Sequence, residues 1–246
     1  MVFGKEKLEQ IAEIVKEFPN VIVLMDEVYE HLVYDGRKHF HFASLPGMWD
    51  RTLTISSAGK TFSCTGWKVG WAVGPSHLIL PLAMTHQWVS FSVPTPTQEA
   101  IARSMEIANH PYEGFSNYYE WLLDMYTKKR RALVQSLKRG KIIPIVPEGG
   151  FFIVGDTRFV DVPESYLSVP NTTRDWALCR YLTIDVKVSP IPPSAFYCDE
   201  NKHLAADLAR FAFCKQDSDI FQCGSNLLNM RNKTPDDQHR RFFRSD

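Results

Sequence analysis

Two short patterns near the start of the chain set out side chains able to share one piece of chemistry: Asp26-Glu27-Val28-Tyr29 and Ser57-Ala58-Gly59-Lys60, with Lys68 following. A lysine amine held near a sheet edge and partly desolvated condenses with an aldehyde to form a Schiff base. Taken alone, Lys60 is better read as a solvated loop lysine. Its neighbours extend the first reading, because Ser57 and Lys68 offer a hydroxyl and a cation to a phosphate. An ionised Asp26 keeps a pyridine nitrogen protonated and makes the ring an electron sink, while Tyr29 can donate to a phenolate oxygen. Each residue also has a purely structural use, Asp26 as a helix cap, Ser57 in a turn, Tyr29 in packing. As a set they describe a site for pyridoxal 5'-phosphate.

Ser-x-x-Lys has a second chemical meaning, an acylated serine as in penicillin-binding proteins and β-lactamases. The Ser-Asp-Asn and Lys-Thr-Gly elements that accompany it there are absent, and Lys60-Thr61-Phe62 does not supply the latter. His39 and His41 lack a well-spaced third ligand, so no metal is expected and both read as packed or surface histidines.

The elements that must position these residues follow from hydrophobic period and turn chemistry. Apolar residues at helical spacing predict a helix over 5–17. The run 21–25 predicts a strand buried on both faces of a parallel sheet, with Asp26 at its carboxyl end, the edge where open α/β sheets bind ligands. Strands are expected at 52–55 and 68–74, a helix over 76–88 broken at Pro81, and a helix over 97–108 capped by Thr97. The pattern from Tyr118 to Arg139 predicts a long helix that Gly140 closes, a natural domain boundary. Beyond it come strands at 142–146 and 151–154, a helix over 174–182, and strands at 186–190 and 209–214. The class is α/β, with a smaller α+β unit over 140–228 and a frayed polar tail over 229–246.

Composition excludes several functions. Lys+Arg and Asp+Glu both number 28 and the pI is near 7.1, which gives no footprint for nucleic acid or an anionic membrane. No apolar run reaches the ~18 residues of a membrane span, and the first residues lack the layout of a signal peptide, so a cytoplasmic protein is expected. The five cysteines form no C-x-x-C pair and are read as free thiols.

Residues 26–75, DEVYEHLVYDGRKHFHFASLPGMWDRTLTISSAGKTFSCTGWKVGWAVGP, closely resemble the class I/II pyridoxal-phosphate aminotransferases of fold type I. Within them the likeness is to the kynurenine–oxoglutarate transaminase group, which includes glutamine transaminase K and cysteine-S-conjugate β-lyase. The likeness extends from about Val2 to about Lys215. It implies that 1–139 is part of the large cofactor-binding domain, with a mostly parallel and incomplete sheet, and 140–228 the small C-terminal domain. It makes Lys60 the catalytic Schiff-base lysine, Asp26 the partner of the pyridine nitrogen, Tyr29 the partner of the phenolate oxygen, and Ser57 and Lys68 phosphate ligands. Asp207 to Phe213 resembles the segment that carries the arginine for the substrate α-carboxylate, here Arg210. The implied reaction is transamination between an aromatic, glutamine-like or kynurenine-like amino acid and a 2-oxo acid, in a homodimer. Elimination from cysteine conjugates is a lesser alternative.

Three departures accompany the likeness. Val2 aligns inside the family pattern, which implies that an N-terminal part is missing, and a mitochondrial leader could have preceded Met1. A rival reading therefore makes the chain a truncated subunit or remnant. Phe91 keeps the aromatic of a substrate-binding pair lent across the dimer, whereas Ser92 does not keep its partner. After Cys214 the sequence leaves the pattern of the family's last helix, and Gly224 is expected to weaken what helix remains.

Overall fold

In the computed structural model, which describes residues 1–232, the chain opens with helix α1 (Lys5–Lys16) and turns into strand β1 (Val23–Asp26). Leu8 and Ala12 of α1 pack on Phe42, Leu45 and Met48, with Val23 and Met25 against the same cluster. Arg51 fixes the end of α1, its guanidinium donating to the carbonyls of Val15 (2.7 Å) and Pro19 (2.6 Å), where a helix leaves its last carbonyls open. Strand β2 (Thr52–Ser57) pairs parallel with β1. Short helix α2 (Ala58–Thr61) follows at once, and strand β3 (Gly70–Val73) returns antiparallel to β2. The order β1-β2-β3 is mixed, with one parallel and one antiparallel pairing.

Helix α3 (Ser76–Val89) holds no buried residue, and helix α4 (Thr95–Ile107) buries Ile101 against Ala58 and Val69. The long helix α5 (Tyr118–Arg139) leads to strands β4 (Ile143–Ile145) and β5 (Phe152–Asp156). Helices α6 (Glu164–Leu167) and α7 (Arg174–Tyr181) precede strand β6 (Leu208–Ala212) and helix α8 (Asp217–Asn232). Strands β4, β5 and β6 form a second, antiparallel sheet in that order. Its buried face carries Ile153, Ala209 and Phe211. No described helix is long and apolar enough to cross a membrane.

Two compact units result. One comprises Met1–Asp124 with Glu148–Gly150, the other Met125–Pro147 with the residues from Phe151 on. In the first, Tyr34 is buried and its hydroxyl donates to the Gly150 carbonyl (2.7 Å), which ties the Glu148–Gly150 segment in place.

Several expectations need correcting. Strand β1 is half-covered rather than buried on both faces: Val23 and Met25 meet the α1 cluster, while Leu24 is 63% exposed and Asp26 is exposed. Pro81 does not break α3, which is exposed from Leu80 on and loses only the bond that residue 81 would have donated. Helix α4 starts at Thr95 after Pro94, with Pro96 in its first turn, and the Thr97 hydroxyl donates to the Pro94 carbonyl (2.7 Å) rather than capping amides. Residues 186–190 form no strand. Val186 ends a π-helical turn (Leu182–Val186), Lys187 takes φ 62°, and the only ladder contact nearby is the single bridge Ile191↔Arg210.

Helix α8 runs through Gly224 to Asn232, so residues 229–232 are helical rather than frayed, and the remainder of the expected tail lies outside the described residues. Gly224 is buried, and a Cβ there would lie 2.7 Å from Ser136 Oγ of α5. It is a point of close helix approach, not a weak point.

Candidate active site at the carboxyl edge of the first sheet

Parallel pairing brings the carboxyl ends of β1 and β2 to one edge. Asp26 lies opposite Ile55, and the Glu27 amide extends the ladder by donating to the Ile55 carbonyl (2.9 Å). Side chains alternate along a strand, so Asp26, Ile55 and Ser57 share a face. That is the face of β1 that α1 leaves uncovered, and Asp26 is exposed on it.

Beyond Ser57 the chain winds tightly. Helix α2 holds half-buried Lys60 between buried Gly59 and Thr61. A Cβ on Gly59 would stand 2.9 Å from Thr65 Cα, so only glycine lets the returning loop pass. The Ala58 carbonyl accepts from the Phe62 amide (2.8 Å), and the Ala58 amide donates to the Val69 carbonyl (3.2 Å). Tyr118 buttresses this helix, its hydroxyl donating to the Thr61 carbonyl (2.8 Å) and its ring stacking on Phe62 at 5.4 Å.

The loop ends at Lys68, exposed and left-handed at φ 57° and ψ 37°. That conformation costs a non-glycine residue about 1–2 kcal/mol. What it achieves is a return: Gly70 pairs with Ser57, so Lys68 stands two residues before the neighbouring strand, at the edge where Ser57 ends its own. Backbone register thereby brings residues 26, 57 and 68 to one end of the sheet, and Lys60 lies three residues past Ser57 on the short helix that follows. Tyr29 belongs to the turn after β1, where its carbonyl accepts from the Leu32 amide (2.8 Å). By residue type the donor set suits a cofactor with a phosphate, an aldehyde and a basic ring nitrogen, and Asp26 is exposed to solvent.

Two further sequence-predicted residues have surroundings of their own. Phe91 lies between α3 and α4, 77% exposed and at φ 64°. Arg210 is on β6 in the second unit, its guanidinium 4.3 Å from the Phe152 ring centre and 4.6 Å from that of Phe196. Its Nε is buried with no hydrogen-bond partner among the described residues. Asp207, three residues before it, pairs with Arg174 at 2.9 Å.

Sequence reasoning missed one cluster. Glu27, next to Asp26, is buried and meets both His39 (3.0 Å) and His41 (2.5 Å) through Oε2. Burial raises its carboxyl, but hydrogen bonds and charge from the two imidazoles outweigh that and hold it below the ordinary carboxylate value. Burial pushes nearby His31 down against the pull of Glu30, with His39 and His41 adding to the depression. The signal available in sequence was the His-x-His pair, but the acid that completes it sits across an irregular stretch no periodicity could bridge.

Comparison with known proteins places this geometry. The family profile described as "Aminotransferase class I and II" matches residues 1–217. A relative from Dictyostelium discoideum, kynurenine–oxoglutarate transaminase, is 46% identical over 237 residues, covering 94% of this chain and 53% of the relative. Human kynurenine–oxoglutarate transaminase 3 is 40% identical over 219 residues, covering 89% and 48%. Among solved structures, Bna3p from Saccharomyces cerevisiae, described as a putative kynurenine aminotransferase, superposes with a TM-score of 0.84 at 31% identity, covering 94% of this chain and 54% of that one. The chain spans about half the length of the curated relatives it matches. With its α/β architecture and a family match over most of its length, the chain belongs to the class I and II aminotransferases.

Proposed function

We propose that this chain carries the lysine side of a pyridoxal-phosphate aminotransferase site that exchanges an amino group between an amino acid and a 2-oxo acid. The names of its relatives point to kynurenine and 2-oxoglutarate as the first pair to test. The observation that supports the reading is the register: parallel β1 and β2, with the returning β3, bring the backbone at residues 26, 57 and 68 to one end of the sheet, beside the short helix that carries Lys60.

Pyridoxal phosphate, when bound, supplies an aldehyde for amines to condense with and a ring that spreads negative charge away from a substrate Cα. Asp26 would keep a proton on the ring nitrogen, and Tyr29 would donate to the phenolate oxygen. Ser57 and Lys68 would hold the phosphate, the first by its hydroxyl and the second by charge. Lys60 would hold the aldehyde end through its amine and would serve as the general base for the substrate Cα proton. Arg210 offers a planar fork to an α-carboxylate, which its unpartnered Nε and aromatic stacking favour. In the homodimer that goes with this reading, Phe91 is presented to the second copy.

The test is spectroscopic. Addition of pyridoxal phosphate to the purified chain gives a visible band from the lysine-bound cofactor, and borohydride fixes the cofactor's mass on the peptide containing Lys60. Lys60→Ala removes both; a band of unchanged strength in that variant overturns the assignment.

One observation favours a second reading, a subunit that works only when paired. Leu24, Met84, Trp88 and Val89 are 63%, 67%, 88% and 78% exposed, an apolar surface suited to burial against another chain.

A further inference from the structure

Glu27, His39 and His41 have no part in the chemistry above, yet each offers one ligand atom and these lie within 4.8 Å of one another. We infer that the three bind a divalent transition-metal ion of the zinc class, with water completing its coordination. The inference stands apart from the aminotransferase reading, since none of the three residues has a role in it.

The geometry is what the chemistry needs. Both imidazoles address the same oxygen, Glu27 Oε2, from His39 Nε2 at 3.0 Å and from His41 Nδ1 at 2.5 Å. One divalent ion can replace the protons lying between them. Tetrahedral zinc with bonds of about 2.0–2.1 Å spaces its ligand atoms by roughly 3.3 Å, so His41 must draw back from Glu27 and the two imidazole nitrogens, which lie within 4.8 Å, must settle at that spacing. The His41 side chain, 52% exposed, has the room, and that exposure also admits the ion and its water. Two imidazoles and one carboxylate suit zinc, cobalt or nickel, whereas calcium and magnesium favour all-oxygen shells.

The groups behind the ligands fit as well. Glu27 Oε1 accepts the Phe42 amide at 3.3 Å, which orients the buried carboxylate. On the far side of the ring, His41 Nε2 faces Glu30 Oε2 at 3.9 Å, and the Ser56 hydroxyl donates to the other oxygen of Glu30 at 3.0 Å. At 3.9 Å Glu30 adds negative charge behind the His41 ring without a direct hydrogen bond. The alternative is an ion-pair triad that holds residues 39–41 on the turn after β1 without any metal.

The two are separated by titrating the chelator-stripped full chain with cobalt(II), with no pyridoxal phosphate present. Expected are visible d–d bands that saturate at one equivalent and are displaced by zinc. H39Q and H41Q each weaken binding by at least about tenfold, while H86Q, at an exposed histidine of α3, leaves it unchanged. Because His41 is half-exposed, H41Q retains the fold, verified by far-ultraviolet circular dichroism, and decides the matter if H39Q unfolds. Absence of stoichiometric uptake overturns the proposal. So does uptake that H41Q leaves intact, or bands with thiolate charge transfer, which would assign the cobalt to cysteine.

Discussion

Arg210 is the residue whose surroundings say most about its use. Its guanidinium lies against Phe152 and Phe196 with a buried Nε and no partner for that atom among the described residues, which supports the proposal that it takes a planar anion. Hydrogen bonds to charged groups contribute about 1.5–3 kcal/mol, so Arg210→Ala is expected to weaken binding of a 2-oxo acid by roughly 10- to 150-fold. Binding of pyridoxal phosphate should change little. Arg210→Lys should fall between, keeping charge but losing the fork. Calorimetric titration with each ligand checks this, and equal losses for cofactor and oxo acid would exclude the carboxylate role. At this scale the sequence was informative where chemistry is carried by short patterns. Asp-x-x-Tyr and Ser-x-x-Lys were visible because each lies within a few residues of a strand end. The contact of Glu27 with His39 and His41 was not, because it is made by an irregular segment whose path is set by burial of Phe42, Leu45 and Met48. Nor could local sequence say that Arg174, not Arg210, takes Asp207.

Among the elements, α8 and α5 show how propensity yields to packing. By helix propensity alone, Gly224→Ala should stabilise α8 by about 1 kcal/mol. The added Cβ would meet Ser136 Oγ at 2.7 Å and Ser136 Cβ at 3.2 Å, and rotating the hydroxyl away would forfeit its bond to the Ile220 carbonyl. Overpacking of this kind costs about 1–3 kcal/mol, so the substitution is expected to lower the melting temperature. Adding Ser136→Ala to it should recover part of the loss, a coupling that thermal unfolding of both singles and the double measures. A melting temperature raised by Gly224→Ala alone would mean that the two helices can move apart at no cost. The same contest explains which elements were legible. Helix α5 was read to both ends, Tyr118 and Arg139, because its apolar stripe is long and regular. The expected strand at 186–190 failed because alternating Val186 and Val188 bury themselves around a π-helical turn instead of joining a ladder. Pro81 misled because an exposed helix tolerates a lost bond that a buried one would not.

The whole molecule is marked by apolar surface. Leu80, Met84, Trp88, Val89 and Phe91 cluster in sequence along α3 and just past it, and all are more than half exposed. Burying one such side chain is worth about 1.5–3 kcal/mol, so the purified chain is expected to self-associate. The paired change Met84→Lys with Trp88→Lys should shift it toward monomer in sedimentation velocity. A wild-type chain already monomeric at tens of micromolar would show that this surface drives no assembly. Composition gave the class and the absence of a long apolar span, but not this surface, since it arises from which faces the fold covers and not from how many apolar residues there are. The second sheet has a consequence of its own for how the protein is made. Strand β5 lies beside β4 almost as soon as both exist, yet its other partner, β6, is about 56 positions later along the chain, Val154 pairing with Arg210. At roughly 5–20 residues per second on a ribosome, β5 waits about 3–11 s with one edge open. During synthesis that edge is the place where a chaperone, or a neighbouring nascent chain, can reach the protein first.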